Sequence, residues 1–225
     1  MAQAERFLSR GYQGIVWLRD TGADRVVVKQ AMGRGLALWL RRGMLRREFA
    51  AYQRLADVPG VPRCLGMEAN GSLLLEFLEG EPFRETAAAL TDRDRFFSEL
   101  LRSILAVHAA GVAHADLKRR GNILISPEGS PVLLDFGSAV LRSRRGGWLS
   151  DILFRQVCRM DLNAWVKLKY RRRYDLISAE DRAYYHPTRV EAVARSVRRL
   201  WRKLSGRQLR KARRRRRANS QRGDS

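Results

Sequence analysis

The stretch His114-Ala115-Asp116-Leu117-Lys118, followed by Asn122-Ile123-Leu124 and then by Leu133-Leu134-Asp135-Phe136-Gly137, organises the reading of this chain. Two carboxylates and a carboxamide stand there beside short apolar runs. A carboxylate in apolar company is costly unless its charge is used, so two idle loop acids are a poor account. Asn122 to Ile125 and Val132 to Leu134 have strand character around Ser126-Pro127-Glu128-Gly129, which predicts a short hairpin. Upstream, Thr91 can cap a helix with Asp92 and Asp94 in its first turn. Phe97, Leu100, Leu101, Ile104, Leu105 and His108 form its apolar side, and Gly111 ends it. Downstream, helical patterns run from Ile152 to Tyr170 and from Arg189 to Leu204.

The first eighty residues read as strands around one helix. Gly14 to Leu18 and Arg25 to Lys29 are short β-rich runs separated by Asp20-Thr21-Gly22, and Ser72 to Leu78 is a further strand. Leu36 to Leu55 is helical, with Leu36, Leu40, Leu45, Phe49 and Tyr52 on the apolar side. Three features stand out in order. Ser9-x-Gly11-x-x-Gly14-x-Val16 has glycines that let backbone approach phosphate oxygens. Lys29 ends Val26-Val27-Val28 and can hold its ammonium inside a cleft as a phosphate ligand. Glu48, 19 residues on, can pair with it. A strand-rich part before a helical part predicts an α+β chain of two lobes with a cleft between them.

The chain has 225 residues, 45% of them apolar and 30% charged, and a net charge of +22. That apolar content supports a core and excludes a wholly disordered basic protein. No run approaches the length of a membrane span, and Met1-Ala2-Gln3-Ala4-Glu5-Arg6 lacks a signal-peptide apolar region. Two cysteines are too few for a disulfide framework or a structural zinc site, so the expected location is cytoplasmic, and the basic C-terminal helix and tail extend that expectation to the inner face of the membrane. Gly206 to Ser225 holds nine basic residues and one acidic, which predicts a disordered basic tail. Charge alone suggests nucleic acid, an anionic membrane or an anionic substrate. No nucleic-acid module or ordered aromatic series is present, so no specific nucleic-acid partner is expected.

The glycine-rich segment, strand lysine, helix glutamate, catalytic-loop pattern and Asp-Phe-Gly together resemble the protein-kinase superfamily, in particular its small bacterial and atypical members. The resemblance runs from about Ser9 to Gly137. It implies a two-lobed kinase-like fold: a strand-rich N-lobe over residues 1–79, a shortened helical C-lobe over 80–205 and the tail over 206–225. It implies ATP and Mg2+ as cofactors. Asp116 would orient or deprotonate an acceptor hydroxyl, and Lys118 would lie near the transferred phosphate. Asn122 and Asp135 would ligate the metal. Ser9, Gly11, Gly14, Val16, Lys29 and Glu48 would surround the nucleotide, with Glu76 and Leu78 in the segment that meets adenine.

The chain departs from the family pattern in three places. Five residues separate Asp116 from Asn122 where four are usual, and Gly121 can absorb the extra one as a bulge. Ala115 replaces an arginine that anchors phosphorylated activation loops. No Ala-Pro-Glu follows Gly137, and only 88 residues remain. Asp161 either resembles the helix aspartate that supports the catalytic loop or caps a helix N-terminus. Val193, Val197, Leu200, Trp201 and Leu204 lie on one face of a basic amphipathic helix. That face either packs on the C-lobe or, with the tail, touches an anionic membrane. Lys118 in Asp116-Leu117-Lys118 resembles serine/threonine kinases and favours a protein acceptor. The compact C-terminal part and basic surface resemble lipopolysaccharide core kinases, whose acceptor is a membrane glycolipid. A catalytically dead kinase fold used as a binding module is a third reading.

Overall fold

The computed structural model describes residues 4–10, 14–20, 22, 24–87, 90–144 and 146–186. The described residues as far as Tyr185 form one compact unit. The expected helix at 189–204, the tail and Gly11 lie outside the described residues.

The N-terminal part is a five-stranded antiparallel sheet in the order β1-β2-β3-β5-β4. Its strands are β1 (Ala4–Arg10), β2 (Gly14–Asp20), β3 (Arg25–Ala31), β4 (Cys64–Met67) and β5 (Leu73–Glu76), with helix α1 (Gly35–Arg54) between β3 and β4. Register decides which side chains face inward. Ser9 pairs with Val16, Val16 with Lys29, and Lys29 with Leu73, so these four share one face. On the other face Phe7 packs edge-on against Trp17, which pairs with Val28. Arg19 binds Glu5 and Glu68 and ties β1, β2 and the β4 side of the sheet together.

The C-terminal part is mainly helical. It holds β6 (Glu81–Pro82), α2 (Phe83–Thr86), α3 (Arg93–Ala109), β7 (Val112–Ala113), β8 (Ile123–Ile125), β9 (Pro131–Leu133), β10 (Val140–Leu141) and α4 (Trp148–Lys169). The hairpin is β8 on β9, joined at its edge by β6. The cap of α3 is Asp92, whose side chain accepts from the Arg95 amide at 2.9 Å. Asp replaces the expected Thr91 because its carboxylate caps better and also complements the helix dipole. The buried face of α3 is Phe96, Phe97, Leu100, Ile104 and Val107, whereas Leu105 is exposed. Trp165 of α4 donates to the Phe97 carbonyl at 2.8 Å, and Arg93 binds the carbonyls of Leu168 and Lys169 at the end of α4. One apolar cluster runs from Leu45 and Tyr52 of α1 through Phe136 to Trp165.

The apolar stripe of α1 is buried only in its second half. Leu45 and Tyr52 are in the core, but Leu36 and Leu40 are exposed together with Trp39. The sheet and the C-terminal part cover only the end of the helix that reaches β3, β4, β5 and Phe136.

Gly14 also has a duty within the sheet. A Cβ there would stand 1.9 Å from the Gln30 carbonyl oxygen, in the strand pairing itself. Gly14→Ala should therefore force β2 away from β3 and cost about 1–3 kcal/mol, as overpacking does. A urea midpoint equal to that of the native chain would contradict this account.

Candidate functional site

Two clusters form the site, one on the sheet side and one on the loop side. In the first, Lys29 Nζ donates to Glu48 Oε1 at 2.5 Å and to Asp135 Oδ1 at 3.2 Å. β3 sets Lys29 on the inward face, and α1 carries Glu48 where its side chain has no solvent exposure. Burial works against the charge of Lys29, but the charges of Glu48 and Asp135 outweigh it and hold the ammonium above the ordinary lysine range. Burial likewise pushes the Glu48 carboxyl upward, and Lys29 opposes that push. For Asp135 the balance reverses: burial is outweighed by Lys29, and the carboxyl lies below the usual range.

The second cluster is the catalytic-loop pattern. His114 and Ala115 donate their amides to Asp161 at 2.7 and 3.0 Å, and His108 Nε2 contacts the same carboxylate at 3.1 Å. Asp161 is deep within α4, far from its N-terminus, so the helix-cap reading is excluded and the loop-supporting reading stands. His114 Nε2 donates to the Leu134 carbonyl at 2.9 Å, and its Nδ1 accepts from the Asp116 amide at 3.3 Å. This bond pair fixes the ring tautomer. Asn122 Nδ2 donates to the Asp116 carbonyl at 3.1 Å and approaches its carboxylate at 3.5 Å. The extra residue is taken up by a turn from Asp116 to Arg119 and a 3-10 turn over Arg120–Asn122. Gly121 has no left-handed φ in it.

Strand pairing joins the two clusters. Leu134 donates to the Asn122 carbonyl at 2.8 Å, so Asn122 enters β8 beside the residue that precedes Asp135. Lys29, Glu48 and Asp135 are thus in direct contact, Asp116 and Asn122 are in contact, and the hairpin sets the groups side by side. Val16 and Ser9 lie along the same sheet row as Lys29. Gly14 opens β2 one step away. Lys118 is exposed. Glu76 turns its side chain to Arg63, accepting from the Arg63 amide at 3.1 Å, and Leu78 is half-buried.

Sequence reasoning passed over Tyr52 and His114 as site residues. Tyr52 is one helical turn past Glu48, faces Lys29 and reaches the Asp135 backbone, while its ring meets Phe136 edge-on at 5.2 Å. Its four-residue spacing from Glu48 was the available signal. Phe136 also packs on His114, with ring centroids 4.8 Å apart.

The donor set suits a hard divalent cation. Asp135 offers carboxylate oxygen, and Asn122, with Nδ2 engaged, offers Oδ1. Among the described residues no three His, Cys, Asp or Glu side chains gather as a full cage. Such an ion would need further oxygens from a substrate or water.

No protein-family model matches the chain. It is similar to the 3-deoxy-D-manno-octulosonic acid kinase of Stenotrophomonas maltophilia strain R551-3, at 30% identity over 162 residues, 64% of each chain. It is similar to serine/threonine-protein kinase 16 of Homo sapiens, at 35% over 105 residues, 40% of this chain and 34% of the human one. A putative cyclin-dependent kinase F-2 of Oryza sativa subsp. japonica matches at 28% over 151 residues, 58% of this chain and 44% of the plant one. The chain spans less than two thirds of the length of each of these relatives.

Glu48→Gln should lower the Lys29 pKa, because it removes the charge that holds the ammonium. At a fixed mildly alkaline pH, competitive acetylation of Lys29 read by mass spectrometry should then be faster in the variant. Equal labelling rates would show that Glu48 does not hold the ammonium.

Proposed function

We propose that this chain, a member of the protein-kinase-like superfamily with similarity to lipopolysaccharide core kinases, is an ATP-dependent phosphotransferase acting on a hydroxyl group. The observation that carries the reading is the contact of Lys29 with both Glu48 and Asp135, beside Asp116 and Asn122. Phosphoryl transfer asks mainly for positioning and charge neutralisation, which these groups supply. Lys29, kept charged by its two acids, would bind phosphate oxygens. Asp135 and Asn122 would hold Mg2+, which neutralises phosphate charge when bound. Asp116 would orient the acceptor hydroxyl and take its proton. Lys118, exposed and two residues on, would meet the transferred phosphate. Ser9, Gly11, Gly14 and Val16 would cover the nucleotide, and backbone from Glu76 to Leu78 would meet adenine. In this reading the chain is two-lobed, with the boundary near residues 79 and 80.

Serine or threonine of a protein is the first acceptor class, supported by Lys118 in its motif and by similarity to serine/threonine kinases. A lipopolysaccharide core sugar is the second. It is supported by the 162-residue match to a 3-deoxy-D-manno-octulosonic acid kinase and by the ten residues that separate Gly137 from α4, a short platform for a peptide.

The test offers labelled ATP to the native chain and to Asp116→Ala, with membrane glycolipid and soluble-protein fractions in separate reactions. Transfer should require Mg2+ and fall by at least about a hundredfold in the variant, the lower range for a proton-transferring group. Equal labelling by both proteins would overturn the assignment of Asp116, and the labelled fraction identifies the acceptor class.

A further inference from the structure

The first three turns of α1 leave large apolar side chains outside the core, as the first turns of α4 do with Trp148, Leu149 and Leu153. Leu36, Trp39 and Leu40 are 71%, 68% and 52% exposed, and their spacing sets them on one face. Gly43 continues that face, and a Cβ on it would meet nothing within 4 Å, so no packing within the described residues calls for glycine there. Glycine in mid-helix is unfavourable relative to alanine, and here it leaves a notch beside Trp39. The charges around this face have one sign. Arg34 stands at the cap, Arg41, Arg42, Arg46 and Arg47 follow, and no acidic residue occurs from Gly35 to Arg47. The helix has neither an acid in its first turn nor a side-chain cap.

A stripe of leucine and tryptophan rimmed by arginine is the composition of a helix that lies in a lipid interface. Its tryptophan sits at headgroup depth and its guanidiniums pair with phosphates. We propose that the N-terminal half of α1 docks on an anionic lipid bilayer, with Leu36, Trp39 and Leu40 entering the interface and Arg42, Arg46 and Arg47 meeting lipid phosphates. Charge favours this occupant over a second copy of the chain, which would bring the same arginines together. The docking surface is distinct from the basic C-terminal segment, and it does not depend on which acceptor is phosphorylated. The helix that touches lipid also carries Glu48, so the docked element and the element that holds Lys29 are one rigid body.

The test uses the full chain with vesicles of phosphatidylcholine, alone or mixed with phosphatidylglycerol, and with lipids brominated near the headgroup as quenchers. The native chain should bind the anionic vesicles, and the quenched emission should shrink in Trp39→Phe. Leu36→Ser with Leu40→Ser should weaken vesicle partition by about tenfold or more, since each removes a large apolar side chain from the interface. Arg42→Glu with Arg46→Glu should do the same. Nucleotide affinity should be unchanged in all of these variants, as none touches the Lys29 cluster; that measurement reports separately on the kinase reading. Quenching indifferent to Trp39→Phe, or vesicle binding indifferent to the leucine substitutions, would overturn the proposal. Self-association abolished by the leucine substitutions would overturn it too, by assigning the face to a second copy.

Discussion

A carboxylate with no solvent exposure, Glu48, governs the arrangement of this molecule. Its oxygen Oε1 is held by an ammonium 2.5 Å away, and Oε2 is buried with no hydrogen-bond partner among the described residues. Removing either member of such a pair leaves a buried charge behind, which is far more costly than the pair's net worth. Glu48 therefore holds α1 to β3, and Lys29, reaching on to Asp135, extends the same constraint to the far side of the site. Tyr52 and Phe136 fill the space beneath the charges, so the polar contacts and the apolar cluster reinforce one another.

Asp161 plays the corresponding part for the loop. Ala115 and Asp135 both adopt left-handed φ values, 68° and 63°, which ordinary side chains avoid. Each costs on the order of 1–3 kcal/mol unless the surroundings impose it. Around Ala115 the imposition is visible: two consecutive amides converge on the Asp161 carboxylate, with His108 on the same oxygen as His114. Just beyond it, the Asn122 side chain donates to the Asp116 carbonyl. The loop that carries Asp116 is thus supported from α4, through the amides of His114 and Ala115 on the Asp161 carboxylate.

Much of this was readable from the chain. The spacing of Lys29 and Glu48 and the order of Asp116, Asn122 and Asp135 each point to groups that the fold brings together. The failures have physical causes. β1 and β4 escaped notice because Ala4–Arg10 and Cys64–Met67 lack the β-branched alternation that marks a strand, and their pairing comes from neighbours. Leu36 and Leu40 carry the periodicity of a buried stripe, and periodicity does not tell what covers a face. Asp161 was ambiguous because cap and loop support use the same residue type; only its depth within α4 separates them. The crowding of a Cβ at Gly14 against the Gln30 carbonyl is a backbone matter that no motif shows, and it stands beside the phosphate-loop pattern of that glycine.

The row Ser9, Val16, Lys29, Leu73 has a consequence for folding fidelity. Strand pairing tolerates sliding when neither face discriminates, and Val26-Val27-Val28 offers similar side chains to both faces. Sliding β3 by one residue would turn Lys29 to the outer surface and strand Glu48 in the core as a solitary ion. The ion pair thus acts as a proofreader of alignment, making the misaligned sheet an unfavourable state even where hydrophobic burial would barely distinguish it.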